Sequence, residues 1–134
     1  MAKLSALQRS TAELRSLGFH VAIVERWNPH AHIRQDLFGI FDLLAVSMDG
    51  IIGIQVKGDS DGAAAGCRKI EEAAVSFSWL LAGGKIQVWV WRKVAVAPQP
   101  GVRRTKAAKQ RFELRRVSAA LVEGRIVWHE LESS

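Results

Sequence analysis

Apolar positions recur at the helical period at the start of the chain and then give way to shorter, strand-like runs. The leucine spacing predicts a helix over residues 3 to about 17, which Gly18 ends as a C-terminal cap. The apolar run over 19–25 predicts the first strand. The connection over 26–38 is rich in polar residues and contains a proline, so we expect a long loop there.

The central pattern of the chain is the segment GIFDLLAVSMDGIIGIQVK. It predicts two strands joined by a two-residue turn at Asp49 and Gly50, a dipeptide favoured where both turn residues need positive φ. Counting outward from that turn pairs Asp42 with Lys57. Because facing residues share one side of a sheet and side chains alternate along a strand, Asp42, Gln55 and Lys57 are expected to converge on one face at the open end of the hairpin.

After this hairpin, the apolar spacing predicts one helix, entered through residues 59–61 and ended by Gly83 and Gly84. Residues 85–91 alternate Ile86, Val88 and Val90 with Gln87, Trp89 and Trp91, as the two faces of a strand do. A strand, a helix and a strand in this order imply a crossover to a parallel neighbour.

The C-terminal part of the chain predicts a basic loop and a closing hairpin. Residues 98–111 combine proline, glycine and five bases, which is typical of a loop. Residues 111–117 and 125–131 are predicted as strands around a turn at Glu123 and Gly124.

Length and composition are those of a single globular domain. The 134 residues are 49% apolar and 24% charged. We expect one α/β domain, with a core over about 5–95 followed by the basic loop and C-terminal strands over 98–131. No apolar run is long enough to cross a membrane, the start does not resemble a signal peptide, and the lone Cys67 rules out an internal disulfide. A cytoplasmic protein is therefore expected.

The net charge of +6 is concentrated in one segment. Between Arg92 and Arg116 there are nine bases and one acid, whereas the rest of the chain has ten bases and twelve acids. A directional field of this kind favours nucleic acid as a partner, and the alternative is a solvated loop kept for solubility. The bases expected to contact DNA are Arg34, Arg68, Lys69, Arg103, Arg104, Lys106, Lys109 and Arg111.

Several residues outside the central hairpin also bear on function. In the 26–38 connection, Arg34 is the candidate for contacting phosphate and Asp36 for shaping the site. The tryptophans suit either the core or stacking on bases, and for most of them the core is the better interpretation. They are Trp27, Trp79, Trp89, Trp91 and Trp128.

The cluster on the hairpin admits two interpretations. Asp42 and Lys57 form either a cross-strand ion pair of little consequence or part of a chemical site. The second interpretation is favoured by the neighbouring amide of Gln55, by Glu13 on the preceding helix and by the basic segment.

The order of elements and residues resembles the PD-(D/E)xK nuclease superfamily, and within it the small virus-type replication–repair nucleases and the phage or archaeal Holliday-junction resolvase-like proteins. The resemblance covers about residues 5–95. It is carried by Glu13, Gly39-Ile40-Phe41-Asp42 and Gln55-Val56-Lys57, with Arg68 and Lys69 on the next helix. It implies a restriction-endonuclease-like α-β-β-β-α-β core, with a mixed central sheet flanked by helices, to which the C-terminal β-hairpin is added.

The resemblance also implies an activity, that of a DNA endonuclease dependent on Mg²⁺ or Mn²⁺. Asp42 would bind the metal, Glu13 would be its second carboxylate, directly or through water, and Lys57 would assist the attacking water. Gln55 stands where many relatives have an acid, and its amide oxygen is a weaker ligand than a carboxylate. The backbone carbonyl of Val56 is a further ligand in such sites.

Branched DNA such as a four-way junction is the expected substrate, in the nucleoid or in a phage-infected cell. A homodimer is expected because two-fold symmetry suits a junction with paired scissile strands. Two alternatives remain open from the residues alone. One is a non-catalytic DNA-binding module that uses the basic 92–116 segment, and the other is a structural subunit of a larger complex.

Overall fold

The computed structural model describes residues 4–58, 62–95 and 110–132, and it has an α/β fold. The elements are α1 Ala6–Ser16, β1 His20–Ile23, β2 Arg26–Asn28, β3 Ile33–Gln35, β4 Leu43–Ser47, β5 Gly50–Lys57, α2 Gly62–Glu71, α3 Ala74–Leu81, β6 Lys85–Ala95, β7 Gln110–Val122 and β8 Arg125–Leu131. Six strands form one sheet in the order β1-β4-β5-β6-β7-β8. Because β5 and β6 are parallel and the other neighbours antiparallel, the predicted mixed sheet is confirmed. In the described part of the chain, every helix is too short or too polar to span a membrane.

Helix α1 covers one face of the sheet. A capping box starts it: the Ser5 hydroxyl accepts a hydrogen bond from the amide of Gln8, and the Gln8 side chain accepts one from the amide of Ser5. Leu14 is buried against Leu43, Ile54 and neighbouring side chains of the sheet. The predicted helix is thus confirmed, with slightly shorter bounds.

Two helices cover the opposite face, where one was predicted. Ala73 has an extended backbone (φ −93°, ψ 120°), which separates α2 from α3. Ser76 is fully buried, and its hydroxyl donates to the carbonyl of Ile70 in the last turn of α2 at 2.6 Å. This polar contact inside the core gives α2 an end that the apolar spacing alone did not indicate.

The prediction of a long loop over 26–38 is wrong. This connection contains the antiparallel hairpin of β2 and β3. Asn28 closes its turn, since the side-chain oxygen accepts from the amides of His30 and Ala31 at 3.0 and 3.2 Å. Trp27 pairs with Arg34 in this small second sheet.

The predicted turn at Asp49 and Gly50 is shifted by one residue. Met48 and Asp49 form the turn, because Ser47 pairs with Gly50. Gly50 takes the positive φ of 132° as the first residue of β5. Only glycine adopts such a backbone conformation without strain.

The closing hairpin is confirmed. Strands β7 and β8 pair around Glu123 and Gly124, whose φ values are 51° and 76°, and β7 also pairs with β6. Strand β7 is longer than predicted, and the predicted basic loop over 98–111 lies outside the described residues except at its last two positions.

The tryptophans are only partly core residues. Trp89 is buried, whereas Trp79, Trp91 and Trp128 are half-buried and donate hydrogen bonds to Lys85, Ser10 and Glu71. Trp27 is 56% exposed, so a core position is wrong for it.

Candidate metal centre

The register of the β4–β5 hairpin places Gln55, not Lys57, beside Asp42. Leu43 pairs with Ile54, and the amide of Asp42 donates to the carbonyl of Ile54 at 2.9 Å. The prediction of an Asp42–Lys57 pair is therefore wrong by two residues. Because side chains alternate with a period of two, the shift leaves the side chains of Asp42, Gln55 and Lys57 on one face. That face is opposite to the one covered by α1.

Asp42 is almost fully buried, with 5% exposure, and one of its oxygens accepts two hydrogen bonds. The side-chain amide of Gln55 donates to Oδ2 of Asp42 at 2.9 Å, and the backbone amide of Val56 donates to the same atom at 2.8 Å. These two bonds fix the orientation of the carboxyl group. Val56 thus contacts Asp42 through its amide nitrogen, and its predicted role as a carbonyl ligand stays a prediction.

Two further carboxylates meet Asp42. One oxygen each from Glu25, Asp36 and Asp42 lies within 4.8 Å of the others. Glu25 immediately precedes β2 and Asp36 immediately follows β3, and since Arg26 pairs with Gln35, the hairpin holds them side by side. Antiparallel pairing of this short segment is therefore what assembles the cluster.

Each of these two carboxylates also has a basic partner. Nη1 of Arg34 lies 2.6 Å from Glu25, and Nζ of Lys69 on α2 lies 2.8 Å from Asp36. Arg34 is 70% exposed and uses only this one nitrogen in the pair, which leaves most of its donors facing solvent. Two of the bases predicted to contact DNA are thus at the carboxylate cluster.

The pKa of Asp42 is raised to about 8, mainly because burial disfavours the charged carboxylate, and a hydrogen bond between its carboxyl and that of Asp36 contributes to this rise. The amide of Val56 acts in the opposite direction, and the charge of Glu25 adds to the upward shift. At neutral pH and without a cation, Asp42 is therefore protonated. A divalent cation would replace that proton, so we expect its binding to tighten as pH rises toward 8.

Gln55, whose side-chain amide bonds to Asp42, has a side-chain oxygen that is unpaired within the described part of the chain. Its side chain is buried, with 3% exposure, and Oε1 has no hydrogen-bond partner among the described residues. Leaving a buried acceptor unpaired costs free energy unless another group compensates it. Three carboxylates and an amide oxygen form the hard, oxygen-only donor set that Mg²⁺, Mn²⁺ and Ca²⁺ prefer, so the residues fit such a cation.

Lys57 lies on the same face, two residues beyond Gln55 on β5. A Cβ added to Gly66 of α2 would lie only 2.8 Å from Cγ1 of Val88 and 3.5 Å from Cγ of Lys57, so Gly66 lets α2 pack closely on β6 beside the stem of Lys57. Within residues 4–58, 62–95 and 110–132, the Lys57 side chain makes no hydrogen bond or ion pair. The interpretation of Asp42 and Lys57 as an ordinary cross-strand ion pair is therefore wrong.

Glu13 is not one of the carboxylates grouped with Asp42, and its predicted role as a second carboxylate, directly or through water, stays a prediction. It neighbours Leu14, which packs on the sheet face opposite to Asp42, and the carboxylates grouped with Asp42 are Glu25 and Asp36. Asp36 was predicted to shape the site, whereas Glu25 was not predicted as a site residue, because it ends an apolar run that indicates only a strand. The signal that would have found it is its position one residue outside the β2–β3 hairpin.

A cleft of about 440 Å³ adjoins the cluster at Asp36. It is lined by Arg34, Gln35, Asp36, Phe38, Gly39 and Lys69. Of the other bases predicted to contact DNA, Arg68 is exposed beside Lys69 and Arg111 is exposed on β7. Arg103, Arg104, Lys106 and Lys109 lie outside the described residues.

A scan against models of known protein families finds no match, and a search of curated protein sequences finds none either.

Proposed function

We propose that the chain is a metal-dependent DNA endonuclease that hydrolyses phosphodiester bonds in branched DNA such as a four-way junction. The observation that carries the proposal is the free, buried oxygen of Gln55 beside Asp42, within a group of three carboxylates. Lys57, a base without a partner among the described residues, lies on the same face. A purely structural polar cluster has no need of that combination.

The residues that would hold Mg²⁺ or Mn²⁺ are Glu25, Asp36, Asp42 and Gln55. A cation bound there supplies a Lewis acid for the phosphate and lowers the pKa of coordinated water. The amide of Val56 and the side-chain amide of Gln55 keep Asp42 oriented, while Lys69 holds Asp36 in place. This preorganisation reduces the entropy cost of assembling the site around the substrate.

Lys57 contributes a positive charge next to the cluster. In hydrolysis, the hydroxyl group of a water molecule joins phosphorus, one bridging P–O bond breaks, and the leaving oxygen gains a proton. The ammonium group of Lys57 stabilises the negative charge that develops on the phosphate oxygens and orients the attacking water. The exposed donors of Arg34 bind a neighbouring phosphate.

The order of elements supports a restriction-endonuclease-like core. A helix, a strand, a hairpin with Asp42 and Gln55-x-Lys57, further helices and a parallel strand follow one another as in the PD-(D/E)xK superfamily. The departure is the source of the other carboxylates, which come from the flanks of the β2–β3 hairpin instead of α1.

The test compares cleavage of a four-way junction, a flap and a linear duplex with Mg²⁺, Mn²⁺ or EDTA. We expect metal-dependent cleavage, fastest on branched DNA, and a reduction of roughly 10²-fold or more in Asp42→Ala and in Lys57→Ala. Lys85→Ala is the matched control, because it removes an exposed lysine at the start of β6, distant from the cluster. Equal cleavage by the wild type and both site variants would overturn the proposal. Binding without cleavage in every metal would favour the non-catalytic DNA-binding module.

A further inference from the structure

Phe38 projects an aromatic ring at the rim of the cleft beside the carboxylate cluster. It is 58% exposed and lines the cleft together with Asp36. The amide of Ile40 donates to the carbonyl of Leu37, so Phe38 and Gly39 are the central residues of a tight turn.

The backbone at Phe38 is one that a bulky residue rarely adopts. Its φ is +56°, and that of Gly39 is +75°. Turns with positive φ at both central positions prefer asparagine or glycine at the first of them. An exposed phenylalanine there neither suits the turn nor fills the core, and strained residues of this kind cluster at functional sites.

A second exposed ring lies on the adjoining hairpin. Trp27 is 56% exposed and pairs directly with Arg34, whose side chain lines the same cleft as Phe38. Its indole contacts the ring of His32 edge to face at 6.3 Å. One exposed ring therefore lines a cleft that also presents the bases Arg34 and Lys69, and a second exposed ring lies on the strand that pairs with Arg34.

We propose that Phe38, with Trp27, stacks on bases that have lost a stacking neighbour at the branch point, next to the phosphate that is cut, and that these rings select branched DNA over continuous duplex. This inference rests on the proposed function and names the feature by which its substrate is chosen. Stacking on an aromatic ring is available only to bases with a face that no neighbouring base covers, and it tolerates any sequence. The exposed donors of Arg34 supply the positive charge that a neighbouring phosphate requires.

The experiment measures binding in EDTA, so that it does not depend on cleavage. A fluorescent adenine analogue is placed at the branch point of a four-way junction and, in a second probe, inside a linear duplex of the same sequence. The wild type is expected to change the fluorescence of the junction probe and to bind it about tenfold more tightly than the duplex. Phe38→Gly removes the ring and keeps the positive φ, so it should fold at least as stably as the wild type while losing most of this preference.

Two further variants sharpen the result. Phe38→Trp should restore the preference for the junction, because it restores a stacking surface. Met48→Ala should leave the preference unchanged, since it removes a fully exposed apolar side chain at the far end of the β4–β5 hairpin.

Unchanged preference in Phe38→Gly would overturn the inference and leave the nuclease proposal standing if metal-dependent cleavage persists. Loss of preference in Phe38→Gly without cleavage by the wild type in any metal would refute the nuclease proposal and retain stacking. If Phe38→Gly instead abolishes self-association and leaves junction binding intact, the ring belongs to an interface between copies of this chain, and the inference is wrong.

Discussion

Asp42 links the stability of the metal-free protein to pH. Its pKa in the folded protein is about 8, above its ordinary value of 3.8, mainly because it is buried. Between those values the folded chain binds more protons than the unfolded chain, so the free energy of unfolding falls as pH rises. One such group contributes at most about 1.4 kcal/mol per pH unit.

We therefore expect the protein in EDTA to be less stable at pH 8 than at pH 5, as measured by urea denaturation. Asp42→Asn mimics the protonated acid, since its oxygen can accept the bonds from Gln55 and Val56. This variant should be more stable than the wild type at pH 8 and should show a flatter pH dependence. A wild-type slope that persists unchanged in Asp42→Asn would contradict the pKa assignment.

At the same scale, Asp42, Gln55 and Lys57 are the residues that the sequence predicted best. They are polar side chains on otherwise apolar strands, and the alternation of strands fixes the face to which each one points. The direct partner of Asp42 was not predictable, because a shift of two residues preserves every face. The buried oxygen of Gln55 became apparent only when its amide was seen to donate to Asp42.

The hairpin of β2 and β3 decides which acids reach the site. Its strands have three residues each, and most of these residues are exposed, so the sequence has no apolar pattern that predicts them. The dipeptide Glu123-Gly124 correctly predicted a tight turn, and both of its residues have positive φ. At Asp49-Gly50 the same expectation misplaced the turn, because only Gly50 needs that conformation.

The sequence predicted the buried side of α1, but it did not predict the sheet face that α1 covers or the division between α2 and α3. The apolar stripe of α1 showed that Leu14 is buried, but it does not tell which face of the sheet the helix covers. Glu13 was therefore assigned to the site although α1 packs on the other face. The split between α2 and α3 depends on the contact of Ser76 with Ile70, a tertiary feature without a periodic signal.

The two acids that flank the β2–β3 hairpin are expected to contribute to metal affinity. Glu25→Gln and Asp36→Asn each remove one negative ligand and should weaken Mn²⁺ binding roughly tenfold or more, as measured by calorimetry at pH 8. Both variants keep the hydrogen-bonding shape of the side chain, so near-wild-type thermal stability is the control for folding. Wild-type affinity in both variants would show that the cluster does not bind the cation.

For the molecule as a whole, the basic segment over 92–116 is not the source of the described bases at the candidate site. Arg115 pairs with Glu130 at 2.6 Å, while Arg116 donates to the carbonyl of Glu132 and lies over Trp89. These two bases of the 92–116 segment serve the β6–β7–β8 part of the sheet. The bases at the cleft, Arg34 and Lys69, come from elsewhere in the chain and bring positive charge to the candidate site.

The two faces of the sheet differ in the side chains that they carry. The α1 face carries an apolar cluster around Leu14 and Trp89, which stabilises the fold. The face covered by α2 and α3 combines a second apolar cluster with Asp42, Gln55 and Lys57 at one end. In the proposed function, a DNA substrate approaches at that end, over the β2–β3 hairpin.

The most direct test is the rate of junction cleavage with Mg²⁺ by Glu25→Gln and Glu13→Gln, measured side by side with the wild type. Both variants exchange a glutamate for its amide, so they differ only in where that side chain lies. We expect Glu25→Gln to lose roughly 10²-fold or more in rate and Glu13→Gln to stay within about twofold of the wild type. Full activity in Glu25→Gln together with loss of activity in Glu13→Gln would contradict the site described above.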